Sequence, residues 1–168
     1  KYSPDGKEVA YLEERTAVNI INLETKEIRN ILPAEKNYSY SDGDQWFDWS
    51  PDSKWLLVHF LDENQWQTQI GLVDASGKEP VRQLTHTGYD NYSQKFMMGG
   101  KMMMYFSTEN GLRSAANWSQ QTDIYAMFFN QEDYDKFKLN KEEYQILKEK
   151  EENDKKDKKE EVKDEPIK

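Results

Sequence analysis

The sequence predicts an all-β fold, a partial β-propeller of about three four-stranded antiparallel blades, with a charged C-terminal extension that is helical or disordered. Three observations predict this fold. A turn motif recurs at a spacing of 47 residues, apolar runs of strand length follow each copy, and all 22 aromatic residues of the 168-residue chain precede residue 148. A four-stranded antiparallel unit of about 40–50 residues has the size of one propeller blade.

The recurring motif is a tight turn. It reads Ser-Pro-Asp-Gly-Lys at residues 3–7, Ser-Pro-Asp-Ser-Lys at residues 50–54 and, in a worn form, Met-Met-Gly-Gly-Lys at residues 97–101. Proline presets φ at the second position of a type I turn, and aspartate favours the position beside it. Gly6 and Gly100 are expected to adopt the left-handed conformation without a Cβ penalty. Ser53 occupies the equivalent place and is expected to be the most strained of the three.

Apolar runs mark the strands of each blade. First runs lie at residues 9–12, 55–58 and 102–106, second runs at 18–23, 70–73 and 124–129, and third runs at 26–32 and 80–84. We interpret residues 44–49 and 91–96 as the innermost strands of the second and third blades. The first blade then lacks its innermost strand and the third lacks its outermost. Because propellers usually contain about four to eight blades, we expect the chain to be a fragment of a larger ring.

The predicted domain organisation follows from this pattern. Propeller blades occupy residues 1–131, divided at about 1–44, 45–90 and 91–131, followed by a short helical segment at 132–150 and a charged linker or insertion at 151–168. Asn140 precedes Lys141 and two glutamates, which is typical of a helix N-cap with acids in the first turn. Residues 148–168 contain 8 lysines against 9 acids, which indicates a solvated spacer, either a single helix or a disordered linker.

Composition excludes several classes of function. The net charge is −9, and residues 1–147 alone carry 15 basic against 23 acidic residues, or −8. This balance argues against nucleic acid as a partner, since neutralising phosphates requires clustered Lys and Arg. No apolar window is long enough for membrane insertion. Without cysteine the chain has no disulfide and no thiolate nucleophile. We predict no metal site and no cofactor.

Candidate binding residues are few. Trp49 and Trp55 are expected to pack between blades, whereas Trp46, Trp66 and Trp118 lie nearer loops. For these three the alternatives are surface packing and contact with a peptide or partner. Arg113 lies in a loop of small and polar residues, where it either forms a structural salt bridge or clamps a peptide carboxylate.

Other polar residues are interpreted as structural. His59 falls in an alternating strand and His86 in a turn, and no nucleophile, base and orienting acid can be assembled around them, so we predict no catalytic residue. Asp42, Asp44 and Asp48 contain the oxygen ligands that hard cations prefer. Their spacing is not that of an EF-hand loop, and a solvated acidic loop is the favoured interpretation.

The residues also resemble known families. The Ser-Pro-Asp-Gly-Lys motif resembles the repeats of TolB-like propellers. Residues 111–120 (GLRSAANWSQ), 123–131 (DIYAMFFNQ) and 137–144 (FKLNKEEY), with the Lys/Glu-rich extension, are similar to tricorn-type serine proteases of bacteria. These belong to the superfamily of tail-specific, C-terminal-processing peptidases. The resemblance covers nearly the whole chain and implies propellers ahead of a PDZ-like domain and a catalytic domain. It implies that the charged run is an insertion and that the serine nucleophile lies downstream.

The resemblance leads to an expected function. The resemblance implies that the chain is a non-catalytic propeller segment of a tricorn-like serine peptidase, which gates or filters peptide substrates and scaffolds the assembly. Its implied partners are the remaining blades, the protease domain and peptide substrates, and its implied location is periplasmic or exported. Unpaired strand edges also predict self-association. Two alternatives remain open: a TolB-like module that binds an envelope protein or glycan, and the propeller of a prolyl-oligopeptidase-like enzyme.

Overall fold

The chain folds into two compact units, Lys1–Phe129 and Asn130–Lys168. The computed structural model describes residues 1–61, 66–112 and 121–161, with side chains as far as residue 153. The first unit is built from β-strands and the second from two helices. In the part of the chain that the structure describes, no helix combines the length and the apolar character needed to cross a membrane.

Three antiparallel sheets form the first unit. The first sheet contains β1 (Glu8–Glu13), β2 (Ala17–Asn22) and β3 (Ile28–Leu32); the second contains β4 (Phe47–Trp49), β5 (Trp55–Leu61), β6 (Thr68–Asp74) and β7 (Arg82–Gln83); the third contains β8 (Asn91–Met97), β9 (Met102–Ser107) and β10 (Asp123–Phe128). Within each sheet, strands that are consecutive in the chain are hydrogen-bonded neighbours. The predicted fold class, a mostly β chain of antiparallel blades with a C-terminal helical extension, is therefore confirmed.

Strand lengths differ from the predicted runs at the sheet edges. The predicted run at residues 80–84 yields only the two-residue strand β7. Pro80 lacks a backbone N–H and cannot donate to a sheet, which restricts proline to strand starts and edges. In the first sheet, an isolated bridge between Tyr2 and Val9 lies where an innermost strand would pair with β1. Among the described residues, the third sheet has no fourth strand.

The second sheet is buried on both faces. Leu56, Val58 and Phe60 alternate along β5 and belong to one core cluster with residues of the first sheet, including Ile20. Leu57 points to the opposite face and belongs to a second cluster with residues of the third sheet. Side chains alternate between the faces of a strand with a period of two. One apolar strand thus supplies both interfaces of a central blade.

The two complete copies of the motif form the same hydrogen-bonded turn. Ser50 Oγ donates to Asp52 Oδ1 at 2.6 Å and accepts from the backbone N–H of Trp55 at 2.9 Å. Ser3 Oγ makes the equivalent bonds to Asp5 and from Glu8, at 2.6 and 3.0 Å. The hydrogen bond from Ser50, opposed by desolvation, and the N–H of Lys54 hold the pKa of Asp52 below its ordinary value. We call the end of the sheets with these turns the turn end, and the opposite end the loop end.

The fourth position of the motif shows how neighbouring blades fit together. Gly6 and Gly100 are left-handed as predicted, with φ of +73° and +92°, and Ser53 has φ of +61°. Ser53 Oγ accepts the backbone N–H of Asp5 at 3.1 Å, a contact to the preceding blade that a glycine could not make. A Cβ on Gly100 would lie 3.1 Å from Cδ of Pro51. Each copy is therefore fitted to the blade before it.

The worn third copy has a different turn geometry. Met98 and Gly99 are left-handed as well as Gly100, with φ of +51° and +67° for the first two. Such a run of positive φ values is unfavourable for residues that carry a Cβ, which accounts for the two adjacent glycines where the other copies have Asp followed by Gly or Ser.

The second unit begins with two capped helices. Asn130 accepts the N–H of Asp133 and precedes α1 (Gln131–Lys138). Asn140 Oδ1 accepts the N–H of Glu143 at 3.0 Å, and the Glu143 side chain accepts the N–H of Asn140 in return, which forms a capping box at the start of α2 (Lys141–Glu161). The predicted N-cap at Asn140 is confirmed, and α2 extends past residue 150. The predicted domain boundaries stay predictions.

Candidate functional site

A cavity of about 440 Å³ opens at the loop end of the first unit. Its lining comes from the connection after β3, from the end of β5, from the start of β6 and from the start of β8. The side chains used below are Tyr38, Tyr40, Asp44, Trp46, His59, Trp66, Asp90 and Tyr92. A volume in the range of roughly 300–1,000 Å³ is typical of ligand pockets in proteins. A second cavity, of about 670 Å³, lies at the turn end beside Pro51 and Gly100. The loop-end cavity is the candidate functional site because aromatic and acidic side chains meet in it.

Aromatic rings form much of the cavity wall. Tyr38 lies between Tyr40 and Trp66, with ring centroids 4.7 Å and 5.3 Å away and interplanar angles of 71° and 56°. Trp66 is 66% exposed and Tyr40 is 77% exposed. Edge-to-face and tilted pairs of this kind stabilise the ring arrangement by about 0.5–1.5 kcal/mol each. The rings are thus held in place by one another while much of their surface faces solvent.

Asp44 organises the connection that carries the two tyrosines. Its Oδ2 accepts the backbone N–H groups of Tyr40 and Ser41 at 2.7 and 3.0 Å, and its Oδ1 accepts the hydroxyl of Ser39 at 2.8 Å. Desolvation opposes ionisation, but these hydrogen bonds together lower the pKa of Asp44 below its ordinary value. The carboxylate is therefore ionised at neutral pH and fixes the loop that presents the tyrosine rings.

Asp90 is positioned by a buried polar network. The amide of Asn91, fully buried, donates to Gln69, to Thr87 and to the backbone oxygen of Tyr89 at 3.3, 2.7 and 2.8 Å. Gln69 is also buried and donates to the same connection. Buried hydrogen-bonded networks rigidify the backbone around them. The network holds the segment before β8, where Asp90 Oδ1 accepts the N–H of Thr68 at 3.0 Å.

His59 lies on the β5 face that is turned towards the third sheet, and it is 7% exposed. Its Nε2 lies 2.5 Å from Gln45 Oε1. The backbone N of Trp46 also lies 3.4 Å from Nε2. Because an amide oxygen only accepts, the much shorter contact with Gln45 favours the tautomer with the proton on Nε2, in which the Trp46 N–H does not donate to this atom. Burial lowers the pKa of His59 to about 4, against a smaller opposing effect of Asp44, so the ring is neutral at neutral pH. Among the described residues, Nδ1 has no hydrogen-bond partner.

The structure brings two of the predicted site residues together. Trp46 and Trp66 both line the cavity and are 46% and 66% exposed. Arg113 and Trp118 lie outside the described residues. Trp49, in contrast, is buried, and its Nε1 donates to the backbone oxygen of Lys1 in the first blade at 3.2 Å.

The acidic residues considered as a cation site have separate partners. Asp42 forms an ion pair with Arg15 at 2.7 Å. Asp48 lies 3.5 Å from Lys1 Nζ and accepts the N–H of Phe96 at 3.1 Å. The Asp44 carboxylate accepts hydrogen bonds from residues of its own loop, between positions 39 and 45. In the described part of the chain, no group of three or more His, Asp or Glu side chains is arranged to hold a metal ion.

Several cavity residues were not singled out from the sequence. Tyr38 and Tyr40 lie in the segment NYSYSDGDQW at residues 37–46, and Asp90 and Tyr92 flank Asn91. A cluster of tyrosines within a polar loop is a usable signal, because exposed aromatic residues outside strands have no core to enter. The convergence of the two segments depends on how the second and third sheets pack, which the sequence pattern does not specify.

Comparison with known proteins identifies the fold. No family model and no curated protein matches the sequence. Among solved structures, the chain is similar to TolB from Acinetobacter baumannii, with a TM-score of 0.53 and 23% identity over 77% of this chain and 29% of that chain. It is also similar to the tricorn protease, with a TM-score of 0.53 and 16% identity over 76% of this chain and 13% of that chain.

The chain thus spans less than a third of either structure. At these identities the likeness shows the fold alone. The repeated turns, the blade-like sheets and these two neighbours together establish a β-propeller module of the TolB-like and tricorn-like kind.

Proposed function

We propose that this chain is a non-catalytic propeller segment of a tricorn-like serine peptidase, and that it binds peptide segments at its loop end. In this role it filters substrates on their way to a protease domain. The observation that carries the proposal is the aromatic cavity, in which Trp46, Trp66 and the tyrosines meet. The proposal requires a protease domain and further blades as partners.

The arrangement of the cavity supports peptide binding. Protein recognition sites are enriched in Trp and Tyr, whose rings offer large apolar surfaces with few rotatable bonds. The loops that carry the rings are anchored by Asp44 and by the Asn91–Gln69 network. Loops that are positioned by a rigid scaffold are the usual place for binding residues. A preorganised cavity loses less entropy when an extended peptide enters it.

The surroundings of the two histidines support a non-catalytic role. A serine nucleophile needs a base within hydrogen-bond reach of its hydroxyl. In the described part of the chain, the ring of His59 contacts Gln45 and the backbone of Trp46, and neither histidine contacts a serine hydroxyl. With a pKa of about 4, His59 is also far from the range of an efficient general base at neutral pH.

Binding of an unfolded peptide tests this proposal. We expect a casein-derived peptide to bind the chain saturably in a calorimetric titration, and Trp66→Ala to weaken binding about tenfold or more, as expected for an exposed aromatic anchor. Tyr144→Ala is the matched control, since Tyr144 is 53% exposed but belongs to the second unit. Absence of saturable binding, or equal affinity in the two variants, would contradict the proposal.

A hydrolysis assay tests the non-catalytic part. The purified chain is expected to leave a fluorogenic casein substrate intact over hours. Cleavage that co-purifies with the chain and disappears in His59→Gln would show that the chain is itself a peptidase.

A second candidate is a TolB-like module that binds an envelope protein or a glycan. The exposed faces of Tyr40 and Trp66 favour it, because flat aromatic rings also stack on sugars. Competition separates the two candidates. Displacement of the casein peptide by a soluble oligosaccharide at millimolar concentration would favour the glycan-binding function.

A further inference from the structure

Two acidic side chains, Asp44 and Asp90, line the cavity, whereas some acidic residues elsewhere in the first unit have a basic partner. Asp42, Glu8 and Glu79 each form an ion pair with an arginine. In the part of the chain that the structure describes, Asp44 and Asp90 form no ion pair with a Lys or Arg, and no Lys or Arg lines the cavity. Two negative charges therefore face an aromatic-walled space without a described counter-charge.

We propose that the cavity recognises a cationic side chain, a Lys or Arg of a bound peptide, which enters among the aromatic rings between Asp44 and Asp90. The inference rests on the proposed function in one respect, because it takes the peptide as the source of the cation. It adds the chemical class of residue that the cavity selects.

The ring geometry supports a cation as the occupant. An ammonium or guanidinium group within about 6 Å of a Trp or Tyr centroid is attracted by about 0.5–2 kcal/mol, with Trp the strongest partner. Tyr38 is tilted against both Tyr40 and Trp66. Rings that are inclined to one another form a concave wall rather than a single flat stacking surface.

The charges supply the second part of the argument. Asp44 uses its oxygen atoms on Ser39, Tyr40, Ser41 and Gln45, so it acts on a ligand through its field rather than by direct coordination. Asp90 accepts only the N–H of Thr68 among its described contacts at the cavity wall, through Oδ1. Its other oxygen is the direct acceptor for a ligand N–H. Charge-assisted hydrogen bonds of this kind are roughly twice as strong as neutral ones.

His59 does not oppose a cation. Because burial keeps its ring neutral at neutral pH, it adds no positive charge to the cavity. With the proton on Nε2, its Nδ1 carries a lone pair without a described partner.

The test uses two small probes that differ mainly in charge. N-acetyl-arginine methylamide carries a guanidinium group, and N-acetyl-citrulline methylamide replaces it with a neutral urea of nearly the same shape. We expect the arginine compound to bind at least about tenfold more tightly to the unmodified chain in low salt, and the difference to shrink at high ionic strength. This contrast does not depend on the folding of any variant.

A pair of charge-removing variants locates the site. Asp90→Asn keeps an oxygen that can accept the N–H of Thr68 but removes the charge, and we expect it to weaken binding of the arginine compound about tenfold without affecting the citrulline compound. Asp42→Asn is the control, since Asp42 lies in the same loop as Asp44 but pairs with Arg15 outside the cavity. Equal effects of the two variants would overturn the assignment.

The outcomes separate this inference from the proposed function. If casein peptides bind but arginine and citrulline compounds behave alike, the cation selectivity is wrong and peptide binding stands. If the arginine compound binds selectively but no extended peptide does, the cation site stands and the peptide filter is wrong. If the arginine compound does not bind at all up to millimolar concentration, the inference is overturned.

Discussion

At the turn end, residues 3–7 and 50–54 form the same hydrogen-bonded turn, whereas at the loop end the connections at residues 33–46 and 84–90 are stabilised in different ways. Each of the two turns satisfies its backbone with one serine and one aspartate. At the loop end, the Asp44 carboxylate holds the backbone of one connection, and the Asn91–Gln69 network holds that of another. Its aromatic and acidic side chains converge on a cavity.

The difference separates two demands on a repeated fold. The turn end brings each blade back on itself, and the same local chemistry does so in the two complete copies of the motif, whereas the worn third copy uses two adjacent glycines. The connections at the loop end differ in length, from three residues at 14–16 to fourteen at 33–46, and they are anchored in different ways. Loops on a rigid scaffold commonly carry binding residues. We therefore expect substitutions at the two ends to affect different properties of the molecule.

The largest expected effect concerns pH and the loop end. A histidine whose pKa falls from 6.5 to about 4 on folding adds stability above pH 6.5 that is lost as the pH falls towards 4. We expect wild type to lose about 3 kcal/mol over this interval relative to His59→Gln, measured by denaturant titration at several pH values. At the turn end, the lowered pKa of Asp52 makes the free energy of unfolding depend on pH only below the ordinary carboxyl pKa of 3.8. Parallel pH profiles for wild type and His59→Gln would contradict the assignment.

The next effect concerns the serine of the turn. Ser50→Ala leaves the N–H of Trp55 without its acceptor, and we expect a loss of about 2 kcal/mol in the free energy of unfolding. Ser39→Ala at the loop end is the matched control, because Asp44 keeps its two backbone donors when the serine hydroxyl is removed. We expect less than half the loss there. A larger loss for Ser39→Ala would reverse the contrast between the two ends.

A smaller effect distinguishes copies within the turn end. Gly100→Ser places a Cβ at positive φ and against Pro51, and we expect a loss of about 1–2 kcal/mol. The reverse exchange, Ser53→Gly, relieves strain but removes the hydrogen bond to Asp5, so we expect a change within about 0.5 kcal/mol. Thermal unfolding of the two variants side by side provides the measurement. Equal shifts would show that the fourth position is insensitive to the preceding blade.

The smallest stability effect is expected for the cavity itself. Trp66→Ala removes a side chain that is two-thirds exposed and should lower the free energy of unfolding by about 0.5 kcal/mol, the low end of the range for its ring contact with Tyr38, while it weakens peptide binding. Denaturant titration of the variant used in the binding experiment checks this directly. A loss of several kcal/mol would place Trp66 in the structural framework and remove it from the binding surface.

The sequence was sufficient for the fold because turn chemistry is local. Pro51 and Asp52 act on their own backbone, so a motif of five residues could be recognised without knowledge of any other part of the chain. The motif also predicted the left-handed backbone at Gly100, but not at Met98, where no residue type in the sequence indicates it.

The candidate site could be predicted only in part. The positions of Trp46 and Trp66 near loops predict their exposure, but Tyr38 and Asp90 meet in the cavity only through the packing of neighbouring sheets. The length of β7 was likewise not predicted. The run at residues 80–84 forms a strand of only two residues, and Pro80 is the one residue in it that disfavours sheet pairing. Contacts that arise from long-range packing leave no periodic pattern in the sequence.

The fit between Ser53 and the preceding blade has a consequence for modularity. Although the blades share one turn motif, they are not interchangeable. A third-blade turn inserted in second position would lose the side-chain acceptor of the Asp5 N–H, and a second-blade turn in third position would place its serine against Pro51. The contacts between successive blades therefore depend on the order of the blades. We expect a chain in which the blades are exchanged to be less stable, although its composition is unchanged.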